Sequence, residues 1–297
     1  MSKAVIDLGT NTFNLLIAEV EQGELLRIHS SKYAVNLGMG GINSGVISAD
    51  AMQRAKQALV KFSKCCNDFN VKDIQGIGTS ALRVAANADT LVNYAKTELG
   101  IPIKIIPGEM EAELVYHGVK WTFPFNEASL IMDIGGGSTE FIEADTSGII
   151  NMTSLDIGVS RIFQYLEIPK EFSKSQIDSI LSFLESKQND FFSKINANVM
   201  IGSSGSFETL YELIFEKKFP DLSQSVELPM KLLMNRLNWL INASLEDRMN
   251  NKWIVTMRKK MIPITAIKVK WVIEKLGIKS VYVSPYSLKE GVFSKGL

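Results

Sequence analysis

Two stretches decide the fold: VIDLGTNTFNLLIAEV at residues 5–20 and IMDIGGGSTEFIEADT at residues 131–146. Each runs apolar residues into Asp, then Gly, then a turn of small polar residues, then a second apolar stretch. The offset is constant: Asp7 matches Asp133, Gly9 matches Gly135, Thr12 matches Ser138 and Ala18 matches Ala144. One Asp-x-Gly turn is a weak motif. Its repetition points to two related half-molecules facing each other.

The rest of the chain fits that reading. With 297 residues there is room for two cores of ordinary size. Hydrophobic residues make up 46% and charged residues 22%, the balance of a soluble globular protein. Lys+Arg and Asp+Glu both number 32, so no global field draws the chain to nucleic acid or an anionic membrane. An anionic ligand needs a local site. No apolar run approaches spanning length, and the MSKAVID start lacks a secretory segment. The two cysteines, Cys65 and Cys66, are adjacent in a helical pattern, which suits a reducing cytoplasm. With only His29 and His117, a metal should be a hard cation held by oxygen.

Strand and helix signals alternate in both halves, which predicts α/β layers. After the paired strands at the start, Ser48 or Asp50 caps a helix whose Met52, Ala55, Leu59, Phe62 and Cys66 recur at helical spacing. DIQGIGTSALR reads strand, turn, helix, and GEMEAELVYHGVKW is helical. TFPFNEAS is the best linker, dividing the chain into residues 1–122 and 123–297. The second half repeats three strands, then reads strand, turn and helix through NVMIGSSGSFETLYELI. Beyond that it is mostly helical, with one strand at SVYVSP before a last helix.

A strand ending in Gly lets the backbone come close to whatever fills the turn, and successive N–H groups there form a nest for phosphate oxygens. Gly135, Gly136 and Gly137 remove three side chains in a row, and Ser138 and Thr139 add hydroxyl donors. Asp133 can hold a divalent cation or order a water beside the phosphate. Two further turns follow strands: GTSALR at Gly78, and Gly202-Ser203-Ser204-Gly205. Four such turns in one cleft would hold several phosphates. Neither the G-x-x-x-x-G-K-[ST] loop nor a Rossmann fingerprint is present.

The motifs AVIDLGTNTFNLLI, GTSALRVAAN, GEMEAELVYHGV, DIGGGSTEF, SLDIGVSR and GSSGS, in this order, resemble the exopolyphosphatase/guanosine pentaphosphate phosphohydrolase family of the actin-like ATPase superfamily. The resemblance runs from Ala4 to about Phe293. It implies two ribonuclease-H-like domains with a catalytic cleft between them. It also implies hydrolysis of the terminal phosphate of inorganic polyphosphate, short chains foremost, or of guanosine pentaphosphate.

The resemblance assigns roles as well. Glu111 matches the family's general base. Glu111 also heads an apolar helix face with Leu114, Val115 and Gly118, whereas ordinary first-turn acidity accounts for Glu109 and Glu113. Asp133 and Glu140 match the cation-associated acids, with Asp7 their counterpart in the first loop, and Mg²⁺ (or Mn²⁺) is the expected metal. Arg83 matches a phosphate-binding arginine, against which stands a simple salt bridge. Thr10 and Asn11 should donate to phosphate, and Arg161 reads equally well as a structural ion pair.

Departures from the family pattern are Asn36 in place of a basic residue, Ile264 in place of Gly after Pro263, and Lys289 in place of Arg. The end at Leu297 leaves out the C-terminal region of longer relatives. Arg258, Lys259, Lys260, Lys268 and Lys270 offer a basic path, although a solvated helix face is the plainer reading for most of those lysines. Two competing readings are a small-molecule kinase of the same superfamily and a non-catalytic guanosine tetraphosphate-binding regulator. A homodimer is left open.

Overall fold

The computed structural model describes residues 2–167, 172–221 and 223–295. The first half supplies β1 (Lys3–Leu8), β2 (Thr12–Glu21), β3 (Glu24–Ala34), β4 (Asp73–Gly78) and β5 (Ile103–Ile105). Between and after them come α1 (Ala49–Asp68), α2 (Ser80–Val84), α3 (Ala88–Leu99) and α4 (Gly108–Val119). Ser48 is the N-cap of α1, its hydroxyl accepting from the Ala51 N–H at 3.3 Å. The second half supplies β6 (Ser129–Ile134), β7 (Thr139–Asp145), β8 (Gly148–Leu155) and α5 (Val159–Tyr165). Then follow α6 (Lys174–Lys187), α7 (Phe191–Lys194), β9 (Val199–Ser203), α8 (Gly205–Phe215), β10 (Val226–Leu228), α9 (Met230–Asn242) and α10 (Leu245–Asn250). A short 3₁₀ turn at Thr256–Arg258 leads into α11 (Ile262–Leu276), β11 (Ser280–Val283) and α12 (Leu288–Lys295).

Among the described residues the strands form two sheets, ordered β3-β2-β1-β4-β5 and β10-β11-β9-β6-β7-β8. All strands of the second sheet but its edge strand β10 repeat the first: an antiparallel three-strand meander, then two parallel strands beside its first strand. These are the two ribonuclease-H-like sheets that the resemblance implies. The second sheet adds β10, antiparallel to β11. Only one strand was expected in that region; three residues are too few for a periodicity to register.

Strand alternation sorts the side chains onto two faces. In β1, Ala4, Ile6 and Leu8 pack outward under α1 and α3, while Val5 faces inward. In β6, Leu130, Met132 and Ile134 pack outward towards α9 and α11, while Ile131 faces inward. The inward faces of both sheets close on α4 and α12, through Leu114, Val115, Leu288 and Val292. The two helices meet backbone to backbone: a Cβ on Gly118 would lie 2.0 Å from the Ser287 carbonyl oxygen, and one on Gly291 would lie 1.8 Å from that of Leu114. No described helix is long and apolar enough to cross a membrane.

Candidate active site

The same alternation that puts Val5 and Ile131 inward puts Asp7 and Asp133 inward, one residue pair further along. Their cross-strand partners are Asn14 and Glu140. Glu111, in the first turn of α4, comes from the helix layer between the sheets. These groups meet in a cavity of about 390 Å³ between the two halves.

The glycine loops are the cavity's floor. Gly9 N–H closes its turn on the Thr12 carbonyl at 3.1 Å, and Gly135 N–H does the same with Ser138 at 3.1 Å. The carbonyls of Gly135, Gly136 and Gly137 are taken by the N–H groups of Val159, Ser160 and Gly158 at the start of α5. Arg161 adds its Nε to the Gly137 carbonyl at 2.9 Å, and its guanidinium pairs with Asp156 at 3.2 Å. With the carbonyls held behind, the N–H groups of Gly136, Gly137 and Ser138 have no acceptor among the described residues, the condition for an anion nest. The loops also touch: a Cβ on Gly136 would lie 2.9 Å from Asn11 Cγ. Across that contact Ser160 Oγ donates to Asn11 Oδ1 at 2.7 Å.

Asp7, Gly9, Thr10, Asn11, Glu111, Asp133, Gly135, Gly136, Gly137, Ser138, Glu140, Ser204 and Gly205 all line the cavity. Four other expected residues do not. Thr139 points outward by strand parity, and its hydroxyl is held by Lys268. Gly202 also faces outward, where a Cβ would sit 2.0 Å from the Phe207 ring, so its small size serves packing. Ser203 is fully buried and donates to the Tyr286 carbonyl at 3.4 Å. Arg83 does not line the cavity but backs its carboxylates: its Nη1 donates to Glu111 Oε2 at 3.0 Å and to the Ile106 carbonyl at 3.0 Å, and its charge lowers Glu140. Gly78 is likewise turned away, towards Leu82 and Ile105. Its turn contributes Thr79 and Ser80 instead. Ser80 Oγ is buried against Gly137, where a Cβ would lie 2.4 Å from it, and has no partner among the described residues.

Four carboxyl groups sharing so small a space repel one another in a poorly solvated setting. Burial, and next the Glu140 charge, hold Glu111 well above its ordinary range, with Arg83 opposing. Burial and then Asp133 push Glu140 up to about 7. Burial raises Asp7 to about 6 against the hydrogen bond from Asn14 Nδ2 at 2.9 Å. Asp133 is also raised by burial, opposed by the Ser287 hydroxyl, which donates to it at 2.9 Å.

Three cations that sequence reading named, two in a basic path and one as a departure from the family pattern, take places it did not assign. Lys289 lines the cavity, lies 3.0 Å from Glu290, and its charge lowers both Asp7 and Asp133. Arg258 also lines it, with Nη1 donating to Thr209 at 3.2 Å; its guanidinium occupies the space beside Gly205. Lys268 is not on a solvated face: it is fully buried. Position in the chain carries no sign of which lysine of a basic stretch turns inward. Only the phase of α11, fixed by its packing, decides it.

The comparisons with known proteins agree with this architecture. The chain belongs to the Ppx/GppA phosphatase family, whose family model matches residues 16–297. A guanosine-5'-triphosphate,3'-diphosphate pyrophosphatase of Photobacterium profundum is 29% identical over 293 residues, 97% of this chain. The chain spans only 58% of that protein's length. The crystal structure of an exopolyphosphatase from Cytophaga hutchinsonii is 31% identical with a TM-score of 0.94, covering 100% of this chain and 99% of that one. A family member from Aquifex aeolicus, 23% identical with a TM-score of 0.83, covers 100% of this chain and 97% of its own, and speaks to the fold alone.

Proposed function

We propose that this member of the Ppx/GppA phosphatase family is a phosphoanhydride hydrolase that releases the terminal phosphate of short inorganic polyphosphate or guanosine pentaphosphate. The observation that carries the proposal is Glu111: a buried carboxyl, raised by burial and by Glu140, lining a cavity floored by two glycine loops. The names of the relatives support the two substrates. The likeness over its whole length to the Cytophaga hutchinsonii protein favours polyphosphate as the first to test.

Phosphoryl transfer is mostly positioning and charge stabilisation. The N–H groups of Gly136, Gly137 and Ser138 orient the terminal phosphate. Glu111, as carboxylate, accepts a proton from the attacking water. Its raised affinity for protons suits a base working near neutral pH. Arg83 holds the carboxylate in place and limits how far the pKa rises.

The residues also fit a hard divalent cation. No three described His, Cys, Asp or Glu side chains gather closely enough to ligate one alone. Mg²⁺ ordinarily takes one or two carboxylates and completes its shell with water and substrate oxygens. Asp133 and Glu140, register partners raised by burial, are the pair to hold it, with Asp7 across the cavity. When bound, the cation would neutralise charge on the phosphate chain. The cavity's carboxylates give it reason to be there: a bare polyanion would otherwise approach Asp7, Asp133 and Glu140 directly.

The test is phosphate release from tripolyphosphate, long polyphosphate and guanosine pentaphosphate, run side by side with Mg²⁺ and with EDTA. Release from at least one, lost with EDTA, is expected. Tight binding of guanosine nucleotides with no release from any substrate would replace the hydrolase reading with the regulator.

A further inference from the structure

A lysine in the middle of a buried helix face is costly, because an ammonium loses its water. α11 carries one. Lys268 is 0% exposed, between Ile267 and Val269, at a position where an apolar residue would pack without penalty. No carboxylate lies within ion-pair reach of it among the described residues. Its Nζ donates instead to Thr139 Oγ1 and, at 2.6 Å, to the Ile157 carbonyl. The charges that favour its ammonium form, Glu140 and Asp133, both belong to the cavity.

The two acceptors explain the cost. Thr139 lies between Ser138 and Glu140, so it is the point where the second glycine loop enters β7. Ile157 precedes Gly158, whose N–H donates to the Gly137 carbonyl at 3.2 Å. Gly158 also presses on the loop, for a Cβ there would lie 2.3 Å from the Gly136 oxygen. A closed ring results: loop, Thr139, Lys268, Ile157, Gly158, and back to the loop. Strand pairing already brings Thr139 beside Leu155, and its hydroxyl also donates to the Ile157 carbonyl at 3.5 Å; the ammonium adds a second, charged tie across the same junction, between the loop's exit and the segment that supports its carbonyls.

We propose that Lys268 is a positioning residue of the reaction, clamping Thr139 to Ile157 from behind so that the N–H groups of residues 136–138 keep their aim at the terminal phosphate. The proposal rests on the hydrolase reading for its kinetic half only. Its geometric half stands alone.

The experiment compares Lys268→Met, which keeps the length of the stem and removes the donor, with Thr139→Val and Thr139→Ser. Two readouts are taken on each folded protein: amide hydrogen exchange of residues 135–139, and kcat and KM on tripolyphosphate. Lys268→Met should speed exchange in that segment roughly tenfold or more while the core sheets stay protected. It should lower kcat by roughly 10²-fold, the cost of an ångström of misplacement, with a smaller change in KM. Thr139→Val should reproduce part of both effects and Thr139→Ser should restore them. If Lys268→Met does not fold, the Thr139 pair decides alone. A lysine that is only structural would lower the melting temperature and leave kcat and loop exchange of the folded enzyme unchanged, and that result overturns the proposal. If the wild-type chain hydrolyses nothing, the functional reading fails, and the exchange measurement still decides whether the clamp exists.

Discussion

The first and second glycine loops are built alike and charged differently. Both close Asp-x-Gly with the same 3.1 Å hydrogen bond, and both present their aspartate inward. Their supports differ: the first loop's Thr10 and Asn11 carbonyls accept from Gly38, Val35 and Asn36, whereas the second rests on the first turn of α5 and on Lys268. The residue opposite the aspartate differs most. Asn14 gives Asp7 a hydrogen-bond donor, while Glu140 gives Asp133 a second carboxylate. The two halves therefore share one glycine-loop plan, and one differing position concentrates negative charge in the second copy. That is the copy whose charges raise Glu111.

Four measurements test that asymmetry. The largest effect should come from Glu111→Gln, expected to lower turnover by roughly 10²-fold or more, the size of a lost general base. Glu109→Gln, exposed on the same helix turn, should be near neutral. Equal behaviour of the two variants in a phosphate-release assay would remove Glu111 from its role.

Next is the pH dependence of stability without a divalent cation. Glu140, at about 7 in the folded chain against 4.5 as its ordinary value, holds its proton longer folded than unfolded. Asp7, raised to about 6, does the same. Their contribution is full below the unfolded values of 3.8 and 4.5, falls as pH rises above them, and is gone once pH has passed through the folded values of about 6 and 7. Glu140 alone would account for a loss on the order of 3 kcal/mol. Thermal melts across this range should show the decline, and Mg²⁺ should reverse it. A Glu140→Gln protein should show a flatter profile; an unchanged one would mean the second loop is not the strained copy.

Third, Glu140→Gln should weaken Mg²⁺ binding, raising the concentration needed for activity, and lower turnover by at least about 10-fold, in the range seen when support for a bound metal is lost. A Mg²⁺ titration of activity reads it, and a midpoint equal to wild type argues against Glu140 as a ligand. The smallest effect should be Asn14→Ala, which removes the donor to Asp7 and costs about 1 kcal/mol of stability. Denaturant unfolding at neutral pH measures it. A loss as large as that of an Asp133 partner would make the two loops electrostatically equivalent.

The departures from the family pattern also acquire physical meaning. Asn36 sits at φ 49°, a left-handed conformation that asparagine tolerates better than most residues, and its N–H donates to the Asn11 carbonyl at 2.8 Å. Ile264 is fully buried in α11, where it fills core volume. Lys289 faces the two aspartates.

The repeated Asp-x-Gly sentence, the alternating strand and helix signals and the Ser48 cap were local, so the sequence alone determined the two sheets and their glycine turns. Parity along a strand is local too, which is why Asp7, Asp133 and Glu140 could be expected on one side together. Tertiary structure alone decided what meets them there. Glycine composition could not separate Gly202, which makes room for Phe207, from Gly136, which faces the cavity. Nor could a basic stretch reveal that Lys268 points inward while its neighbour Lys270 reaches Asn238 at the surface. The return of α12 to lie on α4, bringing Ser287 and Lys289 to the aspartates, spans more than 150 residues of chain. Such contacts are set by which apolar faces can close on each other, a property of the assembled layers that no short stretch of residues contains.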